Sequence, residues 1–174
     1  MDSERVADLI TRQAVQSDIQ DMCQLLNQII DIGGTTAYEV KLSDAEFSSH
    51  FLSGPNCMSL MVCLSEGDEI LGFQALLKTP GLEPDWVDIA TFARVEPKVK
   101  GVGTMLFGAT LKLARESDIV SINATIRSDN TSGLAYYSKL GFVDYRVDKA
   151  IPLKYGTPVD RVSKKYVLIH CEET

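Results

Sequence analysis

The sequence has little positive charge and no hydrophobic run long enough to cross a membrane. Its 174 residues include 17 lysines and arginines against 24 aspartates and glutamates, a formal net charge of -7. Nucleic acids and anionic membranes select basic surfaces, so we expect neither as a partner. No apolar stretch approaches the roughly 18 residues of a membrane span. The opening Met-Asp-Ser-Glu-Arg lacks the basic and apolar regions of a signal peptide, so we expect a cytoplasmic protein.

Cysteine and histidine are scarce, and their spacing does not match the common metal-binding motifs. No two cysteines form a C-x-x-C pair, and the two histidines, His50 and His170, lie far apart in the sequence. We therefore expect no metal site. Three of the four cysteines lie in apolar runs, which is typical of reduced thiols packed in a core. The four are Cys23, Cys57, Cys63 and Cys171.

A glycine-containing turn between a strand-like run and a helix-like run is the most informative stretch. An apolar run, residues 87–95, leads into it, and residues 105–115 follow with helical spacing. Glycines at the start of a helix let an anion approach the unpaired amides of the first turn, where the helix dipole is positive. The stretch therefore predicts a pyrophosphate site, with Lys98 and Lys100 adding charge. The alternative is a turn whose glycines, Gly101 and Gly103, serve only the backbone geometry.

The order of periodic segments predicts one α/β domain that covers residues 1–174. Early hairpins indicate antiparallel strands, and the strand–helix–strand segment at 86–126 indicates a parallel pair, so the sheet should be mixed. The predicted order is β-α-α-β-β-β-α-β-α-β-β. The predicted strands are 9–15, 57–65, 70–78, 86–95, 118–126, 142–147 and 164–171. The predicted helices are 17–30, 43–52, 105–115 and 131–140, and residues 151–161 are predicted to form a connector.

Two motifs within this order resemble those of the GNAT superfamily of acetyl-CoA-dependent N-acetyltransferases. The first is Lys-Val-Lys-Gly-Val-Gly at 98–103, which is similar to the Arg/Gln-x-x-Gly-x-Gly/Ala pyrophosphate motif but begins with lysine. The second is Asn130 to Phe142, which is similar to Asn-x-x-Ala-x-x-x-Tyr-x-x-x-Gly-Phe, with Gly133 where alanine is usual. The chain looks most like the phosphinothricin acetyltransferase type. This resemblance implies a mostly antiparallel sheet of six or seven strands, about four helices and a homodimer.

The resemblance also implies which residues bind acetyl-CoA. The amides of the glycine turn would contact the pyrophosphate, and the end of the preceding strand would contact the pantetheine arm. Asn130 matches the asparagine that contacts the cofactor, although it can instead serve only as a helix cap. The implied cofactor residues are Thr91, Phe92, Ala93, Lys98, Val99, Lys100, Gly101, Val102, Gly103, Thr104 and Asn130.

Acetyl transfer to an amine needs a proton acceptor for the amine and benefits from a proton donor for the leaving thiolate. The resemblance implies Tyr137 as the donor, although a tyrosine here can also be a core residue. Asp88 is the candidate base, acting directly or through water, and the alternative is a solvated carboxylate. Glu39 is a second candidate base. Tyr38 and Glu39 lie in a loop that lines the acceptor pocket in this family.

The leading functional hypothesis is direct transfer of an acetyl group to the amine of a small molecule, such as an amino acid. None of the cysteines lies in a motif that suggests an acyl-cysteine intermediate. The first alternative is a protein N-terminus or lysine as the acceptor. The second is a module that binds CoA without catalysis.

Overall fold

The computed structural model describes residues 8–168, which form one seven-stranded sheet with helices on both faces. The strands are β1 (Ile10–Gln13), β2 (Cys57–Leu64), β3 (Ile70–Leu77), β4 (Trp86–Ala93), β5 (Ser121–Arg127), β6 (Val143–Ile151) and β7 (Val159–Val167). The α-helices are α1 (Ile19–Ile32), α2 (Asp44–Phe51), α3 (Val102–Arg115) and α4 (Thr131–Leu140). The spatial order of the strands is β1-β2-β3-β4-β5-β7-β6. The predicted fold class and element order are therefore confirmed.

Helices α1 and α2 cover one face of the first half of the sheet. Helix α1 buries an apolar stripe at helical spacing that includes Met22, Leu26 and Ile29. Helix α2 is capped by Ser43, whose side chain accepts a hydrogen bond from the Glu46 amide, as the capping box predicts. Aromatic side chains fill the space between these helices and the sheet. They are Phe47, Phe51, Phe73 and Phe92.

Helices α3 and α4 cover the opposite face. Helix α3 packs mainly on β2 and β3, and α4 lies over the C-terminal half of the sheet. Phe107 of α3 contacts Phe142, which in turn contacts Tyr137 of α4. These contacts hold α3 and α4 at a fixed distance from each other. The candidate site lies in the space between the two helices.

Strands β4 and β5 pair in parallel over only three residue pairs. The pairs run from Trp86–Ser121 to Asp88–Asn123, although β4 continues to Ala93 and β5 to Arg127. Beyond Asn123, the partner of Asp88, β5 pairs only with β7, which lies on its other side. The two strands therefore separate into a wedge, and the backbone groups of β4 after Asp88 that face β5 lie outside a regular ladder.

Four predicted boundaries are wrong by three or more residues, and the first is the start of β5, which lies at Ser121 instead of residue 118. Helix α3 begins at Val102, so the glycine turn supplies its first turn. Strand β6 extends to Ile151, and β7 begins at Val159, within the predicted connector 151–161. Pro152, Gly156 and Pro158 favoured a connector, but Pro158 lies just before the first residue of β7, where its missing N–H interrupts no ladder. Residues 169–171 of the last predicted strand lie outside the described residues.

Within residues 8–168, none of the helices combines the length and the hydrophobicity that crossing a membrane requires.

Candidate active site

The N-terminus of α3 opens at the wide end of the wedge. Gly101 is the N-cap residue with φ of +89°, and no side chain caps the helix. The first amides of the helix therefore remain available to a ligand, as an anion site requires. Lys98 and Lys100 are exposed beside this turn, Val99 is half-buried, and Thr104 is exposed on the first helical turn.

Gly103 brings α3 and α4 into close contact. The hydroxyl of Tyr136 donates a hydrogen bond to the Gly103 carbonyl oxygen at 2.8 Å. A Cβ atom at Gly103 would lie 2.6 Å from Cε2 of the Tyr136 ring, closer than any side chain tolerates. Glycine is therefore required here by packing, in addition to any role in binding an anion.

Asn130 caps α4 and also anchors the loop after α1. Its Oδ1 accepts a hydrogen bond from the Gly133 amide at 2.9 Å, and its Nδ2 donates to the Thr35 carbonyl at 2.9 Å. A Cβ atom at Gly133 would lie 2.5 Å from Nδ2 of Asn130. With Asn130 in this conformation, a side chain at residue 133 would have to displace the asparagine. The capping role considered for Asn130 is present, and a cofactor contact stays a prediction.

Tyr137 ends a chain of buried polar groups on the α3–α4 side of the sheet. Its hydroxyl lies 2.9 Å from Oγ1 of Thr91 on β4. Nε2 of Gln74, which is fully buried on β3, donates to Thr91 Oγ1 at 2.8 Å and to the Tyr136 hydroxyl at 3.3 Å. Burial raises the pKa of Tyr137 well above its ordinary value, so this phenol stays protonated.

Asp88 lies at the apex of the wedge, where it is bound by Asn123, which is itself bound by Tyr145. Nδ2 of Asn123 donates to Asp88 Oδ1 at 2.7 Å, and the Tyr145 hydroxyl donates to Asn123 Oδ1 at 2.5 Å. Burial raises the pKa of Asp88 to about 6, and the Asn123 hydrogen bond lowers it by less. A carboxylate with this pKa is mostly ionised at neutral pH yet basic enough to accept a proton.

Asp88 and Tyr137 approach the wedge from opposite faces of β4. Alternation along the strand directs Asp88 and Trp86 towards the α1–α2 side, where the Trp86 ring lies 5.6 Å from that of Tyr145. Thr91, which binds Tyr137, points to the other side. The side chain of Phe92 is buried against Phe73, so only backbone groups of Phe92 and Ala93 remain for a ligand in the wedge.

The loop between α1 and α2 covers the Asp88 side. The Tyr38 hydroxyl lies 2.8 Å from Nε2 of His50, and burial, aided by the charge of Asp88, raises the pKa of Tyr38 to about 12. Both carboxylate oxygens of Glu39 lie 3.0 Å from the backbone nitrogen of Lys154, in the segment between β6 and β7. The Tyr38 ring lies 6.1 Å from that of Phe92, on the face of β4 that also carries Asp88, whereas the Glu39 carboxylate is engaged at the edge of the site.

Gln74, Asn123 and Tyr145 were not identified from the sequence. Gln74 is the only polar side chain in the apolar run of β3, whereas Asn123 is one of the polar residues that alternate with apolar ones in β5. A lone amide in a buried strand needs hydrogen-bond partners, which is a signal that the sequence did contain. Tyr145 gave no comparable signal. Among residues 8–168 there is no group of three or more potential ligands for a metal ion.

Residues 21–142 match the model of the acetyltransferase (GNAT) family. The chain therefore belongs to the GNAT family and is an N-acetyltransferase, and the predicted resemblance is confirmed. Among curated proteins, none matches the sequence significantly.

Solved structures share the fold at low sequence identity. Phosphinothricin acetyltransferase from Sinorhizobium meliloti, solved with acetyl-CoA, is 21% identical with a TM-score of 0.81, covering 92% of this chain and 88% of that one. A GCN5-related N-acetyltransferase from Kribbella flavida is 20% identical with a TM-score of 0.79, covering 92% and 98%. Ribosomal-protein-alanine N-acetyltransferase from Brucella melitensis is 17% identical with a TM-score of 0.78, covering 91% and 99%.

Proposed function

We propose that this protein transfers an acetyl group from acetyl-CoA directly to the amine of a small molecule, an amino acid or a similar compound. The observation that carries this proposal is the wedge between β4 and β5, with Asp88 on one face and Tyr137 on the other. Such an arrangement gives an amine and a leaving thiol separate partners for proton transfer.

The wedge fits acetyl-CoA, the cofactor bound by the Sinorhizobium meliloti enzyme. The uncapped first turn of α3 suits a pyrophosphate, and Lys98 and Lys100 add positive charge beside it. The β4 backbone from Thr91 to Ala93 lies beyond the last β4–β5 pair and suits an extended, amide-bearing arm. When bound, acetyl-CoA supplies an acetyl group activated as a thioester.

In this mechanism Asp88 accepts the proton of the acceptor amine, directly or through one water molecule. Asn123 holds the carboxylate through Oδ1, and no side chain among residues 8–168 hydrogen-bonds the second oxygen, Oδ2. The elevated pKa makes the carboxylate a better proton acceptor than an exposed aspartate. Glu39 is a weaker candidate because its oxygens are engaged at Lys154.

Tyr137 would be the proton donor to the sulfur of the leaving thiolate. The phenol would then regain a proton from solvent, and Asp88 would release to solvent the proton that it took from the amine. The phenol stays neutral because its burial disfavours the tyrosinate. Direct transfer is favoured over an acyl-cysteine route because burial also raises the pKa values of Cys57 and Cys63, and that of Cys23 to about 11. These thiols are therefore poor nucleophiles at neutral pH.

The contact between Glu39 and Lys154 supports a small acceptor, because it joins the loop after α1 to the β6–β7 segment over the Asp88 side. A protein N-terminus or lysine needs an open groove for a polypeptide. That second candidate is the activity named for the Brucella melitensis enzyme, which has the same fold. We further propose that the 174 residues act as one cytoplasmic domain and form a homodimer, as the family resemblance implies.

Thermal unfolding with and without saturating acetyl-CoA tests the cofactor site. A ligand at about 100 times its dissociation constant adds roughly 2.7 kcal/mol to the stability of a one-site protein. We expect this increase in the native protein and in Gly108→Ala, since Gly108 faces open space on α3. Gly103→Trp should lose it, because even a Cβ at Gly103 overlaps the Tyr136 ring.

The acceptor is then tested by thiol release with a panel of amino acids, other small amines and peptides. Acetylation of small amines supports the proposal, and acetylation of peptides alone favours the second candidate. An unchanged unfolding temperature at saturating acetyl-CoA would contradict the assignment of the wedge as the cofactor site.

A further inference from the structure

Two arginines face each other across the β5–β7 ladder. Arg127, the last residue of β5, is the direct antiparallel partner of Arg161 on β7. Side chains at directly opposed positions have Cβ atoms about 5 Å apart, and like charges there are destabilising. A pair of this kind needs a compensating anion.

Arg127 has such an anion within the protein. Its Nε donates to Asp129 Oδ1 at 2.9 Å and its Nη2 to Asp129 Oδ2 at 2.7 Å, a two-point contact. Its Nη1 also lies 3.5 Å from the Thr36 carbonyl oxygen. Arg127 is therefore fixed and neutralised by its own neighbours.

Arg161 has no comparable partner. Its side chain is half-buried, and no described residue lies within ion-pair or hydrogen-bond distance of its guanidinium. The carboxylates around it are engaged elsewhere: Asp148, its partner across β6, binds Arg146, and Glu39 binds the Lys154 amide. The Arg161 guanidinium is therefore charged and partly desolvated, and its N–H groups have no acceptor among the described residues.

Arg161 faces the same side of the sheet as the proposed base. Asn123, which binds Asp88, and Arg127 are four residues apart on β5, so their side chains share a face. Four residues of strand span about 13 Å. The loop that carries Tyr38 and Glu39 covers this interval. The Thr36 carbonyl oxygen lies 3.5 Å from Nη1 of Arg127, and the Tyr38 ring lies 6.1 Å from that of Phe92, which shares the Asp88 face of β4.

We propose that Arg161, opposed to Arg127 and left without an anion of its own, binds a carboxylate group of the acceptor while the acceptor's amine lies at Asp88. Guanidinium binds carboxylate through two parallel hydrogen bonds, which suits a planar group at a fixed distance from the amine. The inference rests on the proposed function of the Asp88 site and narrows its substrate class to amines that carry a carboxylate.

The test compares L-amino acids with their C-terminal amides as acceptors, in the native protein and in Arg161→Gln. We expect the amino acids to react with a kcat/KM at least tenfold above that of the amides. In Arg161→Gln the KM for amino acids should rise at least tenfold with kcat within about threefold, and the preference over amides should disappear. Removal of one of two opposed arginines relieves repulsion, so this variant should fold.

Two controls keep the outcomes distinct. Arg115→Gln, which removes an exposed arginine at the end of α3, should retain the native preference. Arg161→Lys should lie between the native protein and Arg161→Gln, because lysine keeps the charge but loses the two-point contact. The acetyl-CoA-induced rise in unfolding temperature should persist in all these variants.

Equal use of amino acids and amides, or an Arg161→Gln variant with native KM, overturns this inference and leaves the proposed acetyl transfer intact. Failure of every amino acid and amide while acetyl-CoA still stabilises the protein overturns both the small-molecule acceptor and this inference.

Discussion

The phenolic oxygen of Tyr137 lies 2.9 Å from Oγ1 of Thr91, a residue 46 positions earlier in the chain. Because Gln74 donates to the same Thr91 oxygen, the threonine proton is free to point at Tyr137. Either hydroxyl can be the donor in this contact, and when Thr91 donates, the phenolic proton of Tyr137 is free for another acceptor. The contact therefore orients Tyr137 for the proposed proton transfer to sulfur.

Substitution of Thr91 should affect this orientation and the reaction rate. Tyr137→Phe should lower kcat by about a hundredfold, at the lower end of the usual contribution of acid–base catalysis. Thr91→Val keeps the shape but removes the hydroxyl, and we expect about a tenfold loss of kcat. The double variant should be no slower than Tyr137→Phe, since Thr91 acts through the phenol. Steady-state kinetics with acetyl-CoA measure all three, and additive losses would contradict the coupling.

Thr110→Val is the matched control for Thr91→Val, and it also carries a prediction about stability. Thr110 is fully buried on α3, and its Oγ1 has no hydrogen-bond partner among the described residues. Thr110→Val replaces this hydroxyl by a methyl group of similar size, so stability should rise by about 1 kcal/mol or more. Chemical denaturation measures the change, and kcat should be unaltered. A loss of stability would indicate a partner for this hydroxyl.

The rate should depend on the ionisation of Asp88. Only the carboxylate accepts a proton, and its pKa is about 6, so kcat/KM should rise with pH through that value and level off above it. Asp88→Asn should abolish this rise of kcat/KM with pH, the acidic limb of the profile, and should lower kcat about a hundredfold or more. The pH profile from pH 5 to 9 provides the measurement, with Asp85→Asn as a control at an exposed position on the same segment. An acidic limb that persists in Asp88→Asn would assign it to another group.

Ionisation of Asp88 should also lower the free energy of unfolding. The folded pKa of about 6 lies above the ordinary value of 3.8, so the penalty is absent below pH 4, grows between pH 4 and 6 and is constant above. Asp88→Asn keeps an oxygen that can accept from Asn123. Two pKa units correspond to about 3 kcal/mol, so the variant should be more stable by up to that amount at pH 8 and equal to the native protein at pH 4. Denaturation at the two pH values measures the difference, and equal stability at pH 8 would contradict the raised pKa.

Local patterns in the sequence were sufficient for most of the fold. The helical spacing of α1, the capping box before α2 and the alternation of apolar runs each depend on residues close together in the chain. The boundaries of β6 and β7 were less well predicted, because their pairing depends on partners that lie far away in sequence. The glycine turn was correctly placed between a strand and a helix, yet the packing of Gly103 on Tyr136 involves α4, 33 positions later.

The sequence by itself determined the class of protein and the chemical types available: an acidic α/β chain with a glycine turn, a matching tyrosine motif and a carboxylate on the central strand. Only the tertiary structure decided which of these groups meet. Strand pairing separates β4 from β5 after Asp88 and places Arg161 opposite Arg127. It also brings Gln74 and Thr91 together beside Tyr137. Burial of Asp88, and with it the raised pKa, is likewise a property of the packed chain, because desolvation requires neighbours that no local pattern specifies.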